Sequence, residues 1–520
     1  MVINDFRFLS SNLIFMKKST LCLIVLMAAM CLSGQNVSVL KTDTRRPVMQ
    51  MPFIANGVIE DSGDSYYIFN AGYYPLSEKK MVDDYVYVMD KKTHAISEIH
   101  LQRLSYCSFL CMYEDQSDII AIYEAWNRKS KTYSLIMNKI DKSQSAASWN
   151  PQEIFTVSVP TKNDVHVKYA ISPDYSHVAF LIYALDNGRL VKSEVSVWGE
   201  HGEKQGEDPL ETDFANQTIQ ILDLLVDNGG MVYSAIISYD NRTADSRENE
   251  TLHLWMMSDN TIRVLDEAVD FGYVTSAKLK LLRNGNMAIG GYFTERLSKP
   301  EAGAYMAIVD MKNEDISTNT MPFPSDYYGN SDVYDLHDTC YSTEIQYVEE
   351  FSDGSLLLLG EMRAKRLVLF TDGGSYYRHY ARHIPVFYTD VQGTLNDFAL
   401  IKKNQYANNG DVEPSYWLRG QGYSYFAKMF QDKVYLFFSD ALDNYKGKSD
   451  VPAKSTYRLE LASAFCAIVP HQPVYIDALL MGLQSKHDMR IPLFVESDGV
   501  IGLAISDRYK GEIIKVAHPF

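Results

Sequence analysis

The chain has 520 residues, 46% of them hydrophobic and 12% aromatic, with 36 tyrosines and a net charge of −17. That length and apolar content suffice for a large packed core and exclude a disordered chain. The excess of carboxylates, with no basic run to offset it, argues against a nucleic-acid partner, because phosphate contacts need clustered Lys and Arg.

The N-terminus reads as a processing segment. From Met16 it runs MKKSTLCLIVLMAAMCLSGQ, with Lys17 and Lys18 as a basic start and an apolar stretch over 21–30. That stretch is too short to cross a bilayer, which takes about 20 apolar residues. Ser33 and Gly34 suit a signal peptidase, so cleavage is expected near Gly34 or Gln35, with Met16 as the true start. Residues 1–35 are then a signal segment and 36–520 a single exported domain: periplasmic, outer-membrane-associated or secreted. A retained membrane anchor and lipidation at Cys31 are the alternatives. Met30, where a lipobox wants a small residue, fits the second poorly. No later stretch is long and apolar enough for a transmembrane segment. Cys107 and Cys111, four apart on a strand, are expected on one face roughly 13 Å apart, too far to bridge, and so packed as core thiols. An oxidising envelope permits a Cys340–Cys466 disulfide.

Past 36–43, an isolated strand, one unit recurs. Its clearest copy is FSDGSLLLLGEM, residues 351–362: a turn at Asp353-Gly354, then an apolar run. Asp-Gly between two apolar runs signals a hairpin, because Gly supplies the positive φ at no steric cost. Counting equivalent turns at Asp61, Asp115, Asp174, Asn228, Asn284, Asp353, Asp432 and Asp498 gives eight hairpins. Flanking runs extend the early hairpins into four-stranded units: 52–59, 64–70, 85–90 and 95–101, then 108–113, 119–123, 133–140 and 153–159. A third has strands at 165–171, 178–183 and 192–198, a fourth at 218–226, 231–238, 252–257 and 261–265, and a fifth at 276–282, 287–293 and 305–310. The turn residues step by 54, 59, 54 and 56, then by 69, 79 and 66, so the later units carry insertions.

Regular spacing at the size of one four-stranded sheet predicts an all-β fold, a β-propeller. The last unit has one strand (512–517) where two are expected after its hairpin, and 36–41 supplies the missing one. Closing the ring with the N-terminal strand favours eight four-stranded blades, with seven as the alternative. A short helix is expected only at 474–483. Trp198 and Trp255, in strand runs, are expected in the core. The stretch Ile171-Ser-Pro-Asp-Tyr-Ser-His-Val-Ala-Phe180 resembles the strand-turn-strand repeat of TolB-like and WD40-like propellers, departing from it at Tyr175, where the motif has Gly. The resemblance implies the fold and no particular activity.

No nucleophile elbow, P-loop, dinucleotide fingerprint, H-E-x-x-H, C-x-x-C or calcium loop is present, so no cofactor, metal or catalytic residue is expected. The richest polar stretch is MPFPSDYYGNSDVYDLHDTCY, residues 321–341. Tyr327, Tyr328, Asp335, His337, Asp338 and Tyr341 are its candidate ligand or partner contacts, since carboxylate, imidazole and aromatic groups at close spacing suit polar recognition and stacking. A second loop, 404–425, contributes Trp417 and Arg419 as candidates. His379 and His383 have a metal-ligand spacing on a helix, but follow a turn and are expected to be structural. The favoured function is a binding scaffold for a protein or glycan of the cell envelope, acting through the long Tyr- and Asp-rich loops of the second half. The alternative is a carbohydrate-active enzyme using Asp335, Asp338, Asp390 and Asp397 at the channel mouth.

Overall fold

The computed structural model describes residues 64–70, 81–158, 165–208, 218–324, 341–369, 375–403, 425–441 and 461–470 almost throughout, with Thr161, Phe214 and Tyr327. It also gives the strand paths at 37–40, 55–60, 405–409, 475–477, 488–489, 494–496, 499–506 and 510–517. Among these residues every named element is a strand, and no helix is long and apolar enough to cross a membrane.

The strands pair as successive antiparallel meanders, with Ala146–Ala147 added in parallel to the first and an Arg189–Thr218 pairing joining the third to the fourth. The first unit is Ala55–Glu60, Ser65–Asn70, Met81–Asp90 and Ile96–Leu104; the second is Cys107–Glu114, Asp118–Asn127, Thr132–Asp141 and Gln152–Ser158. The third is Val165–Ile171, Val178–Asp186, Arg189–Trp198 and Lys204–Asp208, and the fourth is Thr218–Val226, Val232–Tyr239, Thr251–Ser258 and Thr261–Ala268. The fifth is Tyr273–Leu281, Met287–Thr294, Gly303–Asp310 and Asp315–Pro322. The sixth is Tyr341–Glu350, Leu356–Leu369, Ile384–Thr389 and Leu395–Ile401, and the seventh is Tyr425–Phe430, Lys433–Ala441, Leu461–Ile468 and Tyr475–Asp477. In the last sheet Gly499–Ser506 pairs with Phe494–Glu496, Asp488–Met489 and Lys510–Ala517, and Lys510–Ala517 pairs with Val37–Leu40 from the other end of the chain. The third and fifth units, read with three strands each, have a fourth, Lys204–Asp208 and Asp315–Pro322. They are the outer strands of their sheets, and the second is largely exposed, so no apolar alternation marks them.

The core lies between consecutive sheets. Leu356 and Leu358 pack with Ala288, Tyr292 and Met306 of the fifth unit, while Leu357 and Leu359 pack with Val434, Leu436 and Ile468 of the seventh. Side chains alternate across a strand, and here both faces are covered, so the run Leu356–Leu359 is continuously apolar. The same sandwiching joins the first to the second unit, the second to the third, the third to the fourth around Trp255, and the fourth to the fifth. First strands of neighbouring units lie side by side, Val165–Ile171 by Thr218–Val226, then Tyr273–Leu281, then Tyr341–Glu350. Face-packed meanders with adjacent first strands are the blades of a β-propeller.

The hairpin turns share one closure. Gly354, Gly285 and Gly230 have φ of 84°, 85° and 81°, each donating its N–H to the carbonyl three residues back. Tyr175 holds the same place at φ 62°, where a side chain is strained, and its ring packs against the cluster between the first and second units.

Two expectations are corrected. Cys107 and Cys111 do not share a face. A β-bulge between Phe109 and Cys111 inserts a residue, so Cys107 packs toward the first unit and Cys111 toward the third. Both are free, buried thiols, and burial pushes Cys107 up to about 12 against the opposing pull of Arg103. The helix expected at 474–483 is, over Tyr475–Asp477, a strand paired with Phe465–Ala467; its remainder lies outside the described residues. Cys466 pairs through its backbone with Leu436 and Ile476, and Cys340 lies outside the described residues.

Candidate functional site

A cavity of about 540 Å³ opens where the first strands of five units meet, lined by Lys168, Gln220–Asp223, Thr275–Lys278, Glu344–Tyr347, Tyr425 and Ala427. Blades put their first strands around the axis, so a residue on the open side of each faces its counterparts across the channel. The lining residues occupy the beginnings and middles of those strands, which places the cavity toward the end where first strands start.

The wall is charged, and its charges are fixed. The Lys278 ammonium meets Asp223 Oδ1 at 2.8 Å, and Asp223 Oδ2 accepts the Leu279 N–H at 2.9 Å. Glu344 accepts from Arg363 Nη1 at 2.9 Å, and Arg363 Nε donates to Glu361 at 2.9 Å. Glu361 is fully buried with Lys403, whose ammonium also donates to Gln405 Oε1 at 2.8 Å. Lys168 donates to the Leu222 carbonyl at 3.1 Å. Burial holds its ammonium below the usual lysine range, with Lys278 adding to the effect and Asp223 and Glu344 opposing it. Gln220 accepts from Arg247 Nη2 at 2.9 Å, and Arg247 in turn is paired with buried Glu250.

Carboxylates also tie units together at this end. Glu250 accepts the Val274 N–H at 2.7 Å, and Glu301 accepts the Thr343 N–H at 2.8 Å. Burial pushes Glu301 up to about 7, with neighbouring Glu344 adding to it.

Everything unusual in the sixth unit rises from the same end. Tyr341, the start of its first strand, pairs with Ala364, so the second strand runs on past the sheet. Its extension, 363–369, pairs with Ser375–Ala381, which pairs with Gln405–Asn409. Tyr341 and Tyr425 begin their first strands at this end too. His379, Arg382 and His383 are buried at the extension's base. Burial brings His383 down to about 4, and Arg382, Lys402 and Lys403 push the same way.

Tyr327 is 4% exposed, its ring stacked on Phe323 at 3.9 Å between centroids, packed with Met362, Ala364 and Tyr380 of the extension. Tyr341 begins the first strand of the sixth unit, its backbone paired with Ala364. Tyr328, Asp335, His337, Asp338, Trp417 and Arg419 lie outside the described residues. Asp390 and Asp397, expected at the channel mouth, are not on the cavity wall. Asp390 caps a turn, accepting the Gln392 and Thr394 N–H groups at 2.9 and 2.8 Å, and Asp397 is exposed on the outer strand. Residue type alone does not separate an inner strand from an outer one. Lys168, Asp223, Lys278 and Glu344 escape a motif search, though a signal was available: charges in the middle of otherwise apolar first strands. Among the described residues no group of three or more His, Cys, Asp and Glu could hold a metal.

No family model and no curated protein matches the chain. Solved structures that resemble it are propellers. The β-propeller domain of the Trilobed protease from Pyrococcus furiosus is 9% identical, covering 70% of this chain and 98% of that one at a TM-score of 0.31. The WD40 domain of SCAP from fission yeast is 8% identical over 93% and 98%, with a TM-score of 0.31. A putative TolB from Agrobacterium tumefaciens is 11% identical over 56% and 90%, at 0.28. Such distant likenesses bring no activity or ligand with them.

Proposed function

We propose that the chain is an exported envelope protein in which residues 36–520 form one eight-bladed propeller, closed by Val37–Leu40 as outer strand of the last blade, and that it works as a binding scaffold. The partner is a protein or glycan of the cell envelope, held on the end where the first strands begin. What supports this is the extension of the sixth unit, 363–369 paired with 375–381, which rises from the end that carries the polar cavity and where Tyr341 and Tyr425 begin their strands. Functional loops on a rigid blade scaffold are how propellers recognise partners.

Glycan hydrolysis is less well supported. A glycosidase pair needs one carboxyl free to give a proton and another free to attack or activate water. The cavity's carboxylates, Asp223 and Glu344, are each taken up by a cation.

The test is capture from a solubilised envelope with the whole chain as bait. A stoichiometric partner lost in Trp417→Ala/Arg419→Ala, but retained in Asp174→Ala at the opposite turn end, supports the reading. A partner indifferent to the loop variants, or no partner, overturns it.

A further inference from the structure

We propose that Ser238, His253 and Asp266 form a nucleophilic relay that cleaves small carboxylic esters. None of the three lines the cavity, and the relay does not depend on the binding reading of that end.

The three residues come from neighbouring strands of the fourth unit. Ile236, Trp255 and Val264 face the third unit in one apolar seam. Side chains alternate along a strand, so Ser238, His253 and Asp266, each two positions away, continue that seam in polar groups. His253 is directly opposite Asp266 on one side and Ile236 on the other, with Ser238 one step diagonal. Opposed and diagonal residues on paired strands are within side-chain reach. The relay lies at the end where the unit's first strand starts, since Thr218 pairs with Tyr239.

The hydrogen bonds fix the proton positions. Ser238 Oγ is 2.8 Å from His253 Nε2, and His253 Nδ1 is 2.6 Å from Asp266 Oδ1. A carboxylate only accepts, so Nδ1 carries a proton, Nε2 presents its lone pair and the Ser238 hydroxyl donates to it. A serine on a base that a third group orients is the arrangement of a nucleophilic hydrolase, recognised by geometry rather than by sequence position. Ser238 is 9% exposed and His253 7%, and the Phe214 ring packs edge-on to the imidazole at 5.0 Å between centroids. That enclosure restricts the acyl group to a short one. Asp266 is 62% exposed, so water weakens its hold on the imidazole compared with a buried carboxylate.

In the reaction the Ser238 proton passes to Nε2 as Oγ bonds to the acyl carbon. The carbon–alkoxide bond breaks and the alcohol leaves with that proton. Water, deprotonated by the same nitrogen, then releases the acid and restores the Ser238 hydroxyl. Ester and water give acid and alcohol, with no other reactant.

Treating the whole chain with a small fluorophosphonate tests this. The reagent bonds phosphorus to an activated serine Oγ with loss of fluoride, and mass spectrometry locates the label. Ser238 should carry it. General-base assistance contributes about 10²–10⁴-fold, so His253→Gln should slow labelling at least about hundredfold. Asp266→Asn should slow it about tenfold, the smaller effect of an exposed partner. Hydrolysis of p-nitrophenyl acetate should fall in the same order and vanish in Ser238→Ala. No label on Ser238, labelling there undiminished by His253→Gln, or hydrolysis retained in Ser238→Ala would each overturn the proposal. Should a variant fail to fold, the wild-type chain decides: a label on Ser238 that excess p-nitrophenyl acetate slows supports the relay, and a label elsewhere or none counts against it.

Discussion

The fourth and sixth units share one meander and differ in how they use polar groups. In the fourth, the second strand is buried along its whole length and ends with its sheet. In the sixth, the second strand runs on past the sheet after Ala364, and a cluster of charge, Glu361, Arg363, Arg382 and Lys403, sits where it departs. The fourth unit is therefore held by area removed from water, which is tolerant of detail. The base of the extension is held by ion pairs that stabilise only while complete.

That contrast is most easily broken at Lys403. Lys403→Met leaves the Glu361 carboxylate in a dry site and should cost about 3–5 kcal/mol in denaturant unfolding. Arg263→Met, removing the exposed pair with Glu314, should leave stability nearly unchanged. Equal losses would show that the buried network is not what holds the extension.

The second prediction concerns pH. The folded pKa of Glu301 is raised to about 7, so the folded state holds a proton the unfolded chain releases, and stability falls as pH rises from the ordinary carboxyl range to 7. The folded pKa of His383 is depressed to about 4, so stability is full above the ordinary imidazole value and is lost as pH falls toward 4. Each shift corresponds to about 3 kcal/mol. The two slopes oppose each other between about pH 4.5 and 6.5. Glu301→Gln should therefore tilt the stability profile upward with pH, and His383→Gln downward. Unfolding midpoints at a series of pH values check this, and parallel profiles for both variants would refute it.

The smallest effects are at the turns, where the units should agree. Gly285→Ala and Gly354→Ala each place a side chain at positive φ and should cost about 1 kcal/mol. Tyr175→Gly relieves a similar strain but removes ring packing, so its net change should be near zero. A large loss there would mean the Tyr175 ring matters more than the backbone.

The repeat was legible because it is local. A period-two apolar run and an Asn-Gly or Asp-Gly turn are written within about ten residues of chain, and the sheets follow them. Leu356–Leu359 reads as a strand buried on both faces for that reason. The site was less legible. Tyr327 reads as a candidate contact by composition, and only the strands packed against it bury its ring. Cys107 and Cys111 share a face by spacing, and one inserted residue, fixed by pairing with the neighbouring strand, separates them.

The strand-turn-strand unit, its recurrence, the insertions in the later units and the acidic character of the chain are all written in the sequence. All of these depend on neighbours along the chain. The tertiary structure alone decided that Lys168, Asp223, Lys278 and Glu344 share one cavity, and that Asp390 and Asp397 do not. The physical reason is distance along the chain. Those residues come from four different first strands, and nothing in any one strand records which charges the others will bring to the axis.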